Sequence, residues 1–214
     1  MSAGATEASH PPRRARARRG EGEKLRTQIV DAASRLLVET GDEDAVSIRA
    51  VADAVGVTPP SIYLHFADKN ELIFAVCERY FDELDRVTTA AAAEADDPVE
   101  SLILRGRAYV KFGLGNPEPY RVLFMRKPTD TPITFQYEKI MSSSAFGHLR
   151  DAVAGAVEAG RIEGDPMLVS LYLWSVVHGI TSLVISKPSF PWPEIDGLID
   201  DIVRSALFGV IRRV

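Results

Sequence analysis

AVSIRAVADAVGVTPPSIYLHFADK, residues 45–69, is the stretch that decides the fold. Ser47 stands where a helix N-cap belongs, and Ile48, Val51, Ala52 and Val55 follow as an apolar stripe at helical spacing. Gly56 ends that short helix, because a turn there asks for a backbone geometry that a side chain opposes. Thr58 is a second cap position, and Pro59 fits the first helical position after it. The next helix is expected over about Pro59 to Phe66. Two short capped helices joined by a tight turn are the spacing of a helix-turn-helix. The small Ala52 lets the pair approach, and Val51, Val57 and Ile62 lock it. That leaves Thr58, Pro59, Pro60, Ser61, Tyr63 and His65 facing out: hydroxyls, ring donors and small surfaces, suited to base edges and phosphates.

Upstream, Leu25, Ile29, Ala32, Ala33, Leu36 and Leu37 recur at helical spacing from Glu23, with Gly41 as a stop. Downstream, Asp68 with Glu71 resembles a capping box and opens a long helix through Leu72, Val76, Phe81, Leu84 and Val87. Further helix starts are marked by Asp97-Pro98, Asn116-Pro117 and Asp165-Pro166, with others expected over about 133–159 and from Pro193 to Arg212. No strand alternation or repeat emerges, so the expected fold is all-α with about nine helices. The expected division is a basic arm at 1–22, a helix-turn-helix unit at 23–70 and a helical unit at 71–214.

In order and spacing, Ile48-Arg49-Ala50-Val51-Ala52, Gly56-Val57, Ser61-Ile62-Tyr63-Leu64-His65-Phe66 and Asp68-Lys69-Asn70-Glu71-Leu72 resemble the DNA-binding region of TetR-type transcriptional regulators. The resemblance covers about residues 24–76. It implies a homodimer that binds a palindromic operator in double-stranded DNA, with a C-terminal region that dimerises and takes a small molecule, most often as a repressor. Carried over position by position, Ser47 and Arg49 reach the DNA backbone or a base, and Thr58, Pro60, Ser61, Tyr63 and His65 face the major groove. Tyr63 and Lys69 hold phosphates, which position without reading sequence. Pro59-Pro60 departs from a usual helix start by removing two backbone donors, so Thr58 and Ser61 are expected to supply hydrogen bonds instead.

Net charge is −5, which excludes bulk polycation binding but hides a segregation. Residues 1–70 balance ten basic against ten acidic side chains, and the rest of the chain carries the whole excess. Within the basic arm, the run 11–19 holds Arg13, Arg14, Arg16, Arg18 and Arg19 and no acid. It has two readings: a minor-groove contact beside the reading head, or a solvated tail. One cysteine, Cys77, excludes an internal disulfide framework and multi-cysteine metal sites, and it reads as a buried thiol. No signal-peptide pattern or membrane-spanning run is expected, and a reducing cytoplasm is the expected compartment. The four histidines lack metal-ligand spacing, and no nucleotide, zinc-protease or serine-hydrolase motif occurs, so neither metal, cofactor nor catalysis is expected. A carrier or enzyme built on the same helical cavity is the competing reading.

In the C-terminal part, Trp174-x-x-x-His178-Gly179 resembles one subfamily of TetR C-terminal domains. His178 is either a polar anchor in a pocket or a hydrogen-bonded packing residue. Tyr109, Phe112, Tyr120, Phe124, Phe135, Met141, Tyr172 and Trp174 are candidate walls of a mostly apolar ligand cavity. Arg105, Arg107, Arg121 and Arg126 read as surface charges or as contacts for an acidic ligand. Ile195, Ile199, Ile202, Val203, Ala206 and Val210, with Gly179, are the expected dimer interface.

Overall fold

The computed structural model describes residues 21–125 and 145–208. Nine α-helices and one short 3-10 turn, Glu43–Ala45, make up its regular structure, with no strand among the described residues. The helices are α1 (Glu21–Thr40), α2 (Ile48–Val55), α3 (Pro59–Tyr63), α4 (Lys69–Ala92), α5 (Pro98–Gly115), α6 (Pro117–Phe124), α7 (Ala145–Glu158), α8 (Pro166–Ser186) and α9 (Ile195–Phe208).

Side-chain caps start four of the nine helices, three of them with aspartate. Asp97 accepts from the Val99 and Glu100 amides, Asp165 from Leu168, and Asp68 from Glu71. Glu71 reaches back to the Ala67 amide rather than to Asp68, so the expected capping box is displaced by one residue. The third helix stops at Tyr63, short of Phe66, whose ring is instead buried.

Two large apolar clusters form. One joins α1, α2, α3 and the start of α4 through Ile29, Leu37, Val51, Ile62, Phe66 and Leu72, and it runs to Val76, past residue 70. The other joins the second half of α4 to α5, α6, α7, α8 and α9. Two elements reach both. The 24-residue α4, about 36 Å long, is one. The second is α6, which buries Tyr120 in the C-terminal cluster and packs Val122 on the N-terminal one.

The final helix departs from expectation. Ile199, Val203 and Ala206 are buried inside the chain, and Ile195 and Ile202 are half-buried against the same core. The apolar stripe of α9 thus fills the chain's own core, because it packs on α5 and α8, and is not a free surface for a second copy. Val210 lies outside the described residues. By length and composition, α8 is apolar enough to cross a membrane, contrary to the sequence expectation. Its inner face packs against α5, α7 and α9.

Candidate nucleic-acid interface and ligand cavity

The reading head is built from α2 and α3. Ser47 Oγ accepts from the Ala50 amide at 3.1 Å and starts α2. Gly56 ends it with φ +79°, a conformation that costs a side-chain-bearing residue dearly, and its amide donates to Ala52 and Asp53. Val51, Ala52 and Ile62 are completely buried between the two helices, so α3 can present only its other face.

On that face Thr58 and Pro60 are exposed, Tyr63 is 55% exposed, and Pro59, Ser61 and His65 are half-buried. Thr58 Oγ1 and Ser61 Oγ lie 3.1 Å apart, and the Ser61 amide donates to the Thr58 carbonyl at 2.8 Å. With two prolines and that closed amide, the start of α3 offers hydroxyls in place of backbone donors. Arg49 is exposed on α2. Lys69 pairs with Asp44 at 3.4 Å, and Asp44 is almost fully exposed, so a phosphate can displace it at little cost. Leu64, 83% exposed beside Tyr63, was missed by sequence reasoning. Its signal was an apolar residue outside the stripe, the kind of surface that meets a thymine methyl. Arg26 also escaped notice, and its guanidinium lies 5.0 Å from the Phe66 ring centroid.

Arg13, Arg14, Arg16, Arg18 and Arg19 lie outside the described residues. The point where the chain joins α1 is informative. A Cβ at Gly22 would stand 3.8 Å from His65 Cε1, so α1 begins against the end of the reading head.

The C-terminal cluster encloses a cavity of about 60 Å³ between α4, α5, α6, α7, α8 and α9. Tyr109, Phe124 and Trp174 line it, together with Phe81, Phe146 and Leu173. Val203 and Ala206, expected at an interface, are on its wall. Phe112 is buried in the core away from the wall, and Tyr172 faces outward because it sits on the outer side of α8. Phe135 and Met141 lie outside the described residues.

Beside the cavity runs an ordered donor chain. Trp174 Nε1 donates to the Tyr109 hydroxyl at 3.2 Å. That hydroxyl lies 3.2 Å from Tyr120 Oη, which lies 2.7 Å from His178 Nδ1. His178 Nε2 faces Ser182 Oγ at 3.3 Å. A neutral imidazole fits this chain when Nδ1 accepts from the Tyr120 hydroxyl and Nε2 donates to Ser182, and Tyr109 Oη stands 3.5 Å from the same Nδ1. Burial pushes the His178 pKa down and the Tyr109 and Tyr120 pKa values up. His178 is next to the cavity but not on its wall, and both its nitrogens already face protein groups.

Cys77 is half-buried rather than buried. No cluster of three or more metal-ligating side chains occurs among the described residues.

A head that presents a helix-turn-helix, joined to an apolar helical cavity, defines a DNA-binding regulator with a ligand-binding C-terminal domain. Residues 29–76 match the model of bacterial regulatory proteins of the tetR family, and residues 102–208 match the tetracyclin repressor-like C-terminal domain. The chain belongs to the TetR family of transcriptional regulators. The transcriptional activator FasR of Mycolicibacterium smegmatis is 27% identical over 132 residues, covering 62% of this chain and 60% of that protein. The regulator Rv0472c of Mycobacterium tuberculosis is 29% identical over 192 residues, covering 87% of this chain and 79% of that one. Among solved structures, RolR in complex with resorcinol aligns with a TM-score of 0.64 at 18% identity, over 86% of this chain and 88% of that one, a likeness of fold. The named relatives are transcriptional regulators, not enzymes.

Proposed function

We propose that the chain is a cytoplasmic repressor that binds a palindromic operator as a homodimer and leaves it when a small, mostly apolar molecule enters the C-terminal cavity. In this reading Ser47, Arg49, Thr58, Pro59, Pro60, Ser61, Tyr63, His65 and Lys69 form the DNA-facing set, with the arginine arm leaving α1 next to His65. The dimer forms through the outer face of α8. Leu168 is 67% and Leu183 51% exposed there, flanking Tyr172, Ser175 and Gly179. These positions recur at spacings of three and four on one side of the helix. A Cβ at Gly179 would meet nothing within 4 Å, which leaves room for a second helix. A palindromic operator asks for two reading heads about one DNA turn, roughly 34–36 Å, apart.

The observation that carries the reading is the double attachment of α6. Its Tyr120 is bonded beside the cavity, while its Val122 packs on the head and its Glu118 lies against Gly41 at the end of α1. The cavity is far smaller than the ~300 Å³ and upward of an ordinary ligand pocket. A ligand therefore favours a state with the walls moved apart, and Phe124, on both the wall and α6, passes that movement to the head. The ligand shifts the equilibrium only by its differential affinity for the two states.

The test is fluorescence anisotropy on the DNA upstream of the gene itself, with and without small aromatic and aliphatic compounds. Specific binding that a compound abolishes supports a repressor. Binding strengthened by the compound would overturn release by an inducer, and no specific binding would leave a carrier or enzyme of the same fold.

A further inference from the structure

Among the described residues, the cavity wall contains one charge. Arg105 on α5 is 9% exposed and lines the wall, among side chains that are otherwise almost all apolar. Its Nη1 makes one long contact, 3.4 Å, to Thr89 Oγ1, and its Nε has no hydrogen-bond partner among the described residues. Asp85 is the acid nearest in influence, but its Oδ1 is taken by His148 Nδ1 at 2.7 Å, and no ion pair joins it to Arg105. The other polar wall groups are already engaged. Tyr109 and Trp174 bond each other, and Thr88 donates to the Asp85 carbonyl at 3.2 Å.

A guanidinium stays charged when buried, and without a partner it is costly to hold there. It presents a planar fork of donors that matches a carboxylate bidentately. We propose that the cavity takes a carboxylic acid with an apolar body, its carboxylate paired with Arg105 and its body among Phe81, Phe124, Phe146, Leu173 and Trp174. One free polar group allows one head group. A nucleotide, sugar or polyamine would bury several polar groups with nothing to receive them. The inference rests on the ligand-responsive reading above and names the chemical class that the cavity selects.

The test compares matched pairs that differ only in the head: octanoate against 1-octanol, and 4-phenylbutyrate against 4-phenyl-1-butanol. Binding to the full chain is read by calorimetry and by the fluorescence of Trp174, with a Trp192→Phe background isolating that signal. At least one acid is expected to bind tenfold or more tightly than its alcohol. Arg105→Met, close in volume, is expected to bring acid and alcohol within twofold of each other, and Arg105→Lys to retain part of the preference. Thermal melts establish that each variant is folded. If Arg105→Met unfolds, the retained preference in Arg105→Lys and the salt dependence of acid binding to the wild type carry the test. Equal binding of acid and alcohol, an acid preference that survives in Arg105→Met, or no acid binding overturns the proposal. The same samples are titrated with operator DNA. Operator binding that alcohols release as well as acids leaves the regulator reading intact while removing this one.

Discussion

The Tyr120 hydroxyl lies 2.7 Å from Nδ1 of His178, tying α6 to the middle of α8. Tyr120 is almost wholly buried, so this bond has no water to replace it. Its removal by Tyr120→Phe leaves the half-buried Nδ1 only the longer contact to Tyr109 Oη at 3.5 Å. Stability should fall by about 1–3 kcal/mol, measured by urea denaturation. The bond stabilises the neutral imidazole, so its loss should also raise the His178 pKa toward the ordinary value, seen by NMR titration of the ring protons. An unmoved titration would mean that the hydroxyl does not donate to Nδ1.

Burial holds the folded-state pKa of His178 below 6.5. Above pH 6.5 both folded and unfolded states carry the neutral ring, and the group adds no pH dependence. As pH falls below 6.5 the unfolded chain takes up the proton first, so stability declines until pH passes the folded pKa, where the decline levels off. His178→Gln should remove this portion of the stability–pH curve. A wild-type curve that matches the variant between pH 7 and 5 would contradict the assignment.

Gly113 sits where α5 meets α6 and α8. An added Cβ would lie 2.4 Å from Thr181 Cγ2 and 3.0 Å from the Tyr120 ring. Gly113→Ala should therefore cost about 1–3 kcal/mol, despite the better helix propensity of alanine. Gly155→Ala on α7 meets nothing within 4 Å and should be neutral or stabilising. Equal melting temperatures for the two variants would disprove the close packing at Gly113.

The exposed face of α8 gives a prediction about assembly. Leu168→Glu with Leu183→Glu places charges on the proposed two-fold contact and nowhere in the protomer core. Light scattering should show a monomer with unchanged helicity, and operator affinity should fall at least a hundredfold. A dimer that persists would place the interface elsewhere.

Deleting residues 1–20 tests the arm. If its arginines hold phosphates, log K should fall less steeply with log salt, by about 0.9 for each phosphate the arm had neutralised. An unchanged slope would make the arm a solvated tail.

The helix-turn-helix was legible because its rules are local: a cap at Ser47, an obligatory turn at Gly56 and a period that buries Val51 and Ile62. The net charge of −5 concealed it only until the charge was divided along the chain. The C-terminal side was less legible because periodicity gives an apolar face but not its neighbour. The stripe through Ile199 and Val203 reads alike whether it meets α5 or a second chain. Here it meets α5, and the exposed Leu168 and Leu183 stand on α8 instead, where serines and Gly179 dilute the apolar signal. For the same reason the sequence left Arg105 open between a surface charge and a contact for an acidic ligand, since its burial is set by helices distant in sequence. Gly113 looked like any helical glycine until Thr181 and Tyr120 were placed beside it.

The proposed function stands on sequence-specific DNA recognition by α3 in a two-fold dimer. It is tested most directly by anisotropy titration of a labelled fragment from upstream of the gene against a scrambled fragment, at 150 mM salt (~8 Å screening length), for wild type and for Ser61→Ala/Tyr63→Ala. Wild type is expected to bind the specific fragment at least about 10³-fold more tightly, with two protomers per site, and the double variant to keep its weak binding to the scrambled fragment but lose most of the preference. Equal affinity of the wild type for both fragments, or a double variant with undiminished preference, would contradict it.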